Sequence, residues 1–268
     1  MTNTIEHWPA LGKWSVAYFR DCFAERLVRV RVQPDRVDPE TWIRHCANYR
    51  DMRFGDFLDR IDAEVGNRHY MAHSALLAMI PALQADIGSF PYLGPVSASL
   101  GRFPRNFIRM FQWNAWLGPR STVTPLHFAP TTDNFVVQIF GEKEFFIYPP
   151  EQASFCYLPS RLELPHMSPV DHEQPDLERF PSFASARPTR LVLKPGDALY
   201  IPPGWPHHVR SLSASLTLNF WRAQPIGSAR AHPPDEYARY MLGDLRESTL
   251  EFYRWATRGP TTVISPRR

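Results

Sequence analysis

From about Met110 onward, apolar and polar positions alternate in short runs separated by turn residues. FQWNAWLG, VTPLHF, NFVVQIFG, KEFFIYPP, TRLVLK, ALYI, HHVRSLS and ASLTLNFW read as short strands, and NFVVQIFG alternates with the two-residue period. Gly141-Glu142 falls between two such runs, and the spacing predicts a hairpin turn there. Many short strands broken by turns point to a sandwich or barrel. The stretch from Glu151 to Pro188 is polar and proline-rich and reads as an insert between strands. The first third is mixed. Ser15 is placed to cap a helix through VAYFRDCFAE, and RLVRVRVQ alternates like a strand. TWIRHCANY and FGDFLDRIDAE read as helices, and Ala72 to Ile87 reads as an amphipathic helix with a boundary near Pro81. After Pro233 the pattern is helical again. Tyr237, Tyr240, Met241, Leu245, Leu250 and Tyr253 form a face that packs on the same domain or on a second copy, a candidate dimerisation element.

The expected organisation is therefore a mixed region over 1–109, a β core over 110–225 interrupted by the insert 151–188, and a helical segment over 226–268. Composition narrows the class. Hydrophobic residues make up 44% of the 268 and charged residues 21%, ordinary for a soluble globular protein. A net charge of only +3 gives no support to a nucleic-acid partner. The three cysteines, Cys22, Cys46 and Cys156, are widely spaced and fit neither a zinc pattern nor a disulfide framework. No leader is visible in MTNTIEHWPALGKWS, and no run approaches the roughly 20 apolar residues that cross a bilayer. The expectation is a cytoplasmic protein with reduced thiols and no membrane contact.

Within the strand region, His127, Lys143 and the stretch PGDALYIPPGWPHHV stand out. Side chains alternate across a strand, so His127 and residue 129 share a face. A histidine arriving from a distant strand completes a set of ligands with open positions, the arrangement of non-heme Fe(II) oxygenases. Of the adjacent pair, His207 is the better ligand. It shares a face with Val209 and Ser211, whereas His208 and Arg210 share the other, which suits solvent. A lysine deeper in the barrel suits a dicarboxylate, and Thr124 offers a hydroxyl. Taken singly, each histidine is more simply a hydrogen-bonded core or surface residue. Together they form the constellation of a metal site.

WPALGKWS, TPLHF, DNFVVQIFGEKEFFIYPPE, DLERFP, PGDALYIPPGWPHHV and LTLNFW occur in an order that resembles the JmjC-type cupin family of Fe(II)- and 2-oxoglutarate-dependent oxygenases. The likeness is to the cupin-like branch with the asparaginyl hydroxylase acting on hypoxia-inducible factor. It implies a mainly β fold with flanking helices, built on a double-stranded β-helix (jelly-roll, cupin) core. It also implies His127 and His207 as metal ligands and Lys143 on the distal carboxylate of 2-oxoglutarate. Thr124 and Tyr70 would contact the same co-substrate, and Asn134 and Asn219 would line its pocket. The implied reaction is hydroxylation of a peptide or protein side chain, or of a small molecule.

One position departs from the family. Where the family has the aspartate of its H-x-D motif, this chain has Ala129, and one extra residue lies between His127 and the DNF match. Four readings stay open: a halogenase-like variant with chloride in the vacated position; another carboxylate swinging in, Asp133 nearest and Glu142 more remote; a weak two-histidine site or a catalytically inactive binding module; or a deliberate aspartate-to-alanine exchange. The rims of the site fall in the insert and in the loop from Phe90 to Phe107. Arg102, Arg105 and Arg109 there suit an acidic partner, or simply a solvated face. One of Trp113 and Trp116 is expected to wall the substrate pocket and the other to sit in the core.

Overall fold

The computed structural model describes residues 1–33, 49–63, 69–74, 76–90, 113–130, 132–158 and 166–223. Two helices open the chain, α1 (Pro9–Lys13) and α2 (Val16–Phe23). The hydroxyl of Ser15 accepts from the Tyr18 backbone N–H and caps α2 as expected. Strands β1 (Leu27–Val32) and β2 (Tyr49–Arg53) follow, then α3 (Phe54–Asp62), β3 (His69–Ser74) and α4 (Leu76–Met79). The core strands are β4 (Trp113–Gly118), β5 (Val123–His127), β6 (Thr132–Phe140) and β7 (Lys143–Ile147). After the insert come β8 (Thr189–Leu193), β9 (Ala198–Ile201), β10 (His207–Ser211) and β11 (Ser215–Ala223).

The strands form two antiparallel sheets. The larger runs β2-β1-β3-β4-β11-β6-β9 and the smaller β5-β10-β7-β8. Val136 and Ile201 of the larger sheet pack on Phe145, Ile147 and Leu193 of the smaller, so the sheets face each other as a jelly roll. The mainly β expectation is met. The other face of the larger sheet carries Trp113, Ala115 and Leu117 of β4, Phe135, Val137 and Ile139 of β6, and Leu216, Leu218 and Phe220 of β11. These join Trp8 and Phe19 from the N-terminal helices and Phe54 and Phe57 from α3 in one core. Covered on both sides, the central strands are buried at nearly every position. Their odd and even residues therefore differ in what they face, not in whether they face water.

The segment before α1 closes one edge of this sheet. The terminal amine of Met1 donates to the Ala198 carbonyl at 3.0 Å, and Thr4 N–H donates to the Gly196 carbonyl at 2.9 Å. An otherwise open edge strand is thereby partly paired.

Two expectations are corrected. Gly141-Glu142 does not close a hairpin: β6 pairs with β11 and β9, whereas β7 pairs with β10 and β8. The turn carries the chain from one sheet to the other. Gly141 has φ +67°, and a Cβ there would lie 2.0 Å from the Ala214 carbonyl oxygen, so the corner requires glycine. Nor is Ala72 to Ile87 one helix. Its start belongs to β3, α4 is a single turn, and Pro81–Asp86 is a 3-10 turn. Pairing of β3 with β1 and β4 outweighs the local helical pattern.

Most of TWIRHCANY, the arginines Arg102, Arg105 and Arg109, and the whole C-terminal segment with its dimerisation face lie outside the described residues. No helix among the described residues is long and apolar enough to cross a membrane.

Candidate metal and co-substrate site

Strand β5 lies at the edge of the smaller sheet, where Pro125 is tolerated because no ladder donor is needed there. Its register against β10 contains a bulge. His127 opposes His207, but Thr124 opposes Val209, so three residues on β5 span two on β10. Strict alternation would turn Thr124 away from His127. The extra residue re-aims it, and both face the space between the sheets.

That space is an open cleft between the two sheets. The seven residues expected from the sequence, His127, His207, Lys143, Thr124, Tyr70, Asn134 and Asn219, all line it. They come from six strands of both sheets. Phe145, Val209, Thr217, Trp116 and Trp221 complete the wall. Phe145, Thr217 and Trp221 were not singled out in the sequence, yet each lies two residues from one that was, so the strand period points to them. Trp116 walls the cleft, and Trp113 packs edge-on against Trp8 and Phe90 in the core.

His127 and His207 are set alike. Nδ1 of His127 lies 2.8 Å from the Pro125 carbonyl, and Nδ1 of His207 lies 2.9 Å from the Trp205 carbonyl. A carbonyl only accepts, so both Nδ1–H groups donate and both Nε2 atoms keep a lone pair. This is the orientation a ligating imidazole needs. The ring centroids are 4.2 Å apart and the planes are tilted by 53°. Burial pushes the His127 pKa down to about 4 and that of His207 well below the ordinary histidine value. Both rings are neutral at physiological pH, as metal ligation requires.

Lys143 sits four residues along the strand pair, opposite Ser211, whereas His207 is opposite Ile147. It is 2% exposed. Its Nζ donates to the Trp116 carbonyl at 3.1 Å and to the Tyr70 hydroxyl at 3.5 Å. Burial lowers its pKa to about 7. No Asp or Glu among the described residues lines the cleft. Asn219 donates to the side-chain oxygen of Asn134 at 3.1 Å along one wall. The cleft thus offers a buried cation, hydroxyls from Tyr70 and Thr124, and two amides. These suit a small dicarboxylate at one end and a divalent ion at the imidazoles.

Asp133 does not belong to this site. It precedes Asn134 on β6 and points to the opposite face, where its carboxylate accepts from the Tyr200 hydroxyl at 2.6 Å. The candidate third ligand is corrected on that ground.

His208 also departs from expectation. It does face away from the cleft, but at 1% exposure it is buried, not solvated. The insert folds over it. His208 Nε2–H donates to Glu173 at 2.7 Å, Arg210 donates to the same carboxylate at 3.0 Å, and the Tyr148 hydroxyl is hydrogen-bonded to His172 Nε2 at 2.9 Å. The His208 bond holds the Glu173 pKa down to about 2, and burial takes His172 down to about 3. Donor atoms of His172, Glu173 and His208 lie within 4.8 Å of one another. However, the two rings are stacked at 4.0 Å with planes 11° apart. Imidazole lone pairs lie in the ring plane, so two parallel stacked rings cannot share one ion. This cluster is a hydrogen-bonded latch between the insert and β10.

Residues 1–227 match the cupin-like domain family. The chain is 33% identical over 222 residues to Jumonji C domain-containing protein 5 of Drosophila melanogaster, covering 82% of this chain and 53% of that one. It is 34% identical over 221 residues to lysine-specific demethylase 8 of Xenopus tropicalis, covering 82% and 47%. With the human bifunctional peptidase and (3S)-lysyl hydroxylase it shares 29% identity over 245 residues, 82% and 75% of the two chains. The chain spans about half the length of the first two relatives.

Proposed function

Because the chain belongs to the cupin-like JmjC family of 2-oxoglutarate oxygenases, we propose that its cleft binds 2-oxoglutarate and a divalent iron and hydroxylates a peptide or protein side chain, or a small molecule. The observation that carries this reading is the convergence on one cleft of a buried, acid-free lysine and two neutral imidazoles, each oriented at Nδ1 by a backbone carbonyl. Lys143 would hold the distal carboxylate of the co-substrate, and charge pairing there would restore its proton. Tyr70 and Thr124 would donate to the same carboxylate, and Asn134 and Asn219 would position the remainder. His127 and His207 would hold the iron. When bound, iron and 2-oxoglutarate supply the oxidising chemistry, with decarboxylation to succinate coupled to oxygen insertion into a C–H bond. Trp116 and Trp221 are placed to exclude water from the cleft.

The substrate class rests on the relatives. One is named a lysine-specific demethylase and another a lysyl hydroxylase, which favours a protein side chain. The co-substrate half of the cleft fits its ligand. The metal half fits in part, because residue 129 has no donor atom. That observation favours a second reading, a binding module that accepts 2-oxoglutarate without turnover. Anaerobic titration with Fe(II) and 2-oxoglutarate, followed by the visible metal-to-ligand charge-transfer band, tests the first reading. A band that is lost in Lys143→Met and in His207→Ala supports it. Absence of any band in the unaltered protein, with 2-oxoglutarate still bound, would leave the binding module. Succinate release with candidate peptides tests turnover.

A further inference from the structure

We propose that segment 166–173 of the insert is a positioning element for the two imidazoles of the cleft, and that Glu173, which lies behind β10 from the cleft, is its positioning residue. The inference deepens the reading that His127 and His207 act as a pair, and it rests on that reading. The argument starts from the ladder that carries them. His127 opposes His207 and Thr124 opposes Val209, so the β5–β10 register slips at the step that contains His208. Pro125 in that step has no N–H to donate. Strand β5 lies at the edge of its sheet, and β10 is its one neighbour among the described strands. The imidazole centroids are 4.2 Å apart, yet the strands that carry them are joined irregularly at this very step.

The insert grips both strands across that step. On the free edge of β5, Phe128 N–H donates to the His166 carbonyl at 3.1 Å and Ser168 N–H donates to the Leu126 carbonyl at 2.8 Å, which sets Met167 opposite His127. On the outer face of β10, Glu173 accepts from His208 at 2.7 Å and from Arg210 at 3.0 Å. Nδ1 of His208 has no partner among the described residues, so the bond to Glu173 is the one that fixes the ring. The link between the two grips, residues 169–172, is braced. Ser168 Oγ accepts from Val170 N–H at 3.0 Å, and both residues are 0% exposed. Asp171 Oδ1 accepts from Glu173 N–H at 3.0 Å and from Gln174 N–H at 3.2 Å. Bonded within itself and at both ends, the link holds β5 and β10 in a fixed relation that their own ladder does not supply at this step.

Apolar cover alone does not require Glu173. Leu126 and Phe128 of β5 already pack on Tyr148, Cys156 and Leu158. A carboxylate bonded to a buried histidine adds a directional tie that such packing lacks. Without it, His208 would be a buried ring with neither nitrogen partnered, which is unfavourable. The ring would turn towards another partner, and the backbone of β10 would move with it at the residue next to His207.

The test is the proton–nitrogen magnetic resonance spectrum of the imidazoles in the full chain, labelled at histidine, with no metal added. In the unaltered protein His127 and His207 should each give a protected Nδ1–H signal, because each donates to a backbone carbonyl, and the two rings should show a mutual contact. Loss of one signal in His127→Gln and of the other in His207→Gln assigns them. Glu173→Ala should broaden or double both signals and weaken the contact. Its 2-oxoglutarate affinity should be unchanged, because Lys143 pairs with Ser211 at the far end of β10. Glu173→Gln keeps an acceptor for His208 and should restore the spectrum. Asp176→Ala removes the cap of another turn in the same insert, and should lower stability while leaving both signals in place. Mn(II) affinity should fall about tenfold or more in Glu173→Ala, the scale on which groups behind a ligand alter metal sites. Unchanged signals in folded Glu173→Ala would overturn the inference, as would an equal disturbance in Asp176→Ala. If the unaltered protein shows the paired signals but binds no Mn(II), the metal reading fails, and the spectra still decide the positioning role. If the alanine variant does not fold, Glu173→Asp decides: its shorter reach to His208 should disturb both signals, and a spectrum identical to that of the unaltered protein would overturn the inference.

Discussion

Replacing Lys143 with methionine should stabilise the unliganded protein while abolishing co-substrate binding. Lys143 is 2% exposed, and its nearest partners are the Trp116 carbonyl and the Tyr70 hydroxyl. Burial lowers its pKa from 10.5 to about 7. Each unit of such a difference is worth about 1.36 kcal/mol. A folded-state pKa below the unfolded value means the unfolded chain binds more protons between pH 7 and 10.5. The stability that the neutral amine permits is therefore complete above about pH 10.5 and is lost as pH falls towards 7. Integrated, the penalty carried by the wild type is roughly 5 kcal/mol at pH 6 and roughly 2 kcal/mol at pH 9, as order-of-magnitude upper limits. Methionine keeps the length of the stem and removes the charge, and such replacements of buried charge are often stabilising. Urea denaturation of both proteins at pH 6, 7.5 and 9 measures the difference directly. Lys143→Met should be the more stable protein at pH 6, and its advantage should shrink by more than half at pH 9. A variant less stable than wild type, or an advantage independent of pH, would refute the claim that this ammonium is buried without a counter-charge.

Three further outcomes follow from the same geometry. Binding of 2-oxoglutarate should take up close to one proton at pH 8 and little at pH 6, because an anion beside Lys143 raises its pKa from about 7. Calorimetry in two buffers of different ionisation enthalpy measures this, and affinity should fall as pH rises above 7. Gly141→Ala should destabilise the fold by about 2 kcal/mol or more, since a Cβ at φ +67° meets the Ala214 carbonyl oxygen at 2.0 Å. A shifted urea midpoint at unchanged slope is the expected signature. Trp113→Ala should cost about 3 to 5 kcal/mol in the same assay, because its ring is buried against Trp8, Phe90 and Phe220. As it faces away from the cleft, 2-oxoglutarate affinity should be unchanged wherever the variant remains folded.

Much of the site was legible because period-two patterning is local. Lys143, Asn134, Asn219 and His207 each lie on a strand whose alternation is visible in the chain, and each side chain points as that alternation requires. The choice of His207 over His208 came from the same rule, and the cleft contains His207 and Val209 together. What that rule misses is what covers the other face. His208 sits on the outward side of β10, but the insert carrying His172 and Glu173 closes over it. Burial by a segment 35 residues away leaves no trace in local periodicity.

The sequence by itself determined the strand series, the residue types of the cleft and the absence of a donor at position 129. These are properties of identity and of spacing within single strands. Tertiary structure alone decided which strands pair, and three results depend on that. Thr124 joins His127 only because β5 bulges against β10. Gly141-Glu142 crosses between sheets instead of closing a hairpin, because β6 and β7 find their hydrogen-bond partners elsewhere. Asp133, next in sequence to a cleft residue, is lost to the site because β6 is covered on both faces and its carboxylate is satisfied by Tyr200 on the far one. Pairing and covering are set by contacts between residues distant in the chain, and those contacts are fixed only when the two sheets close on each other.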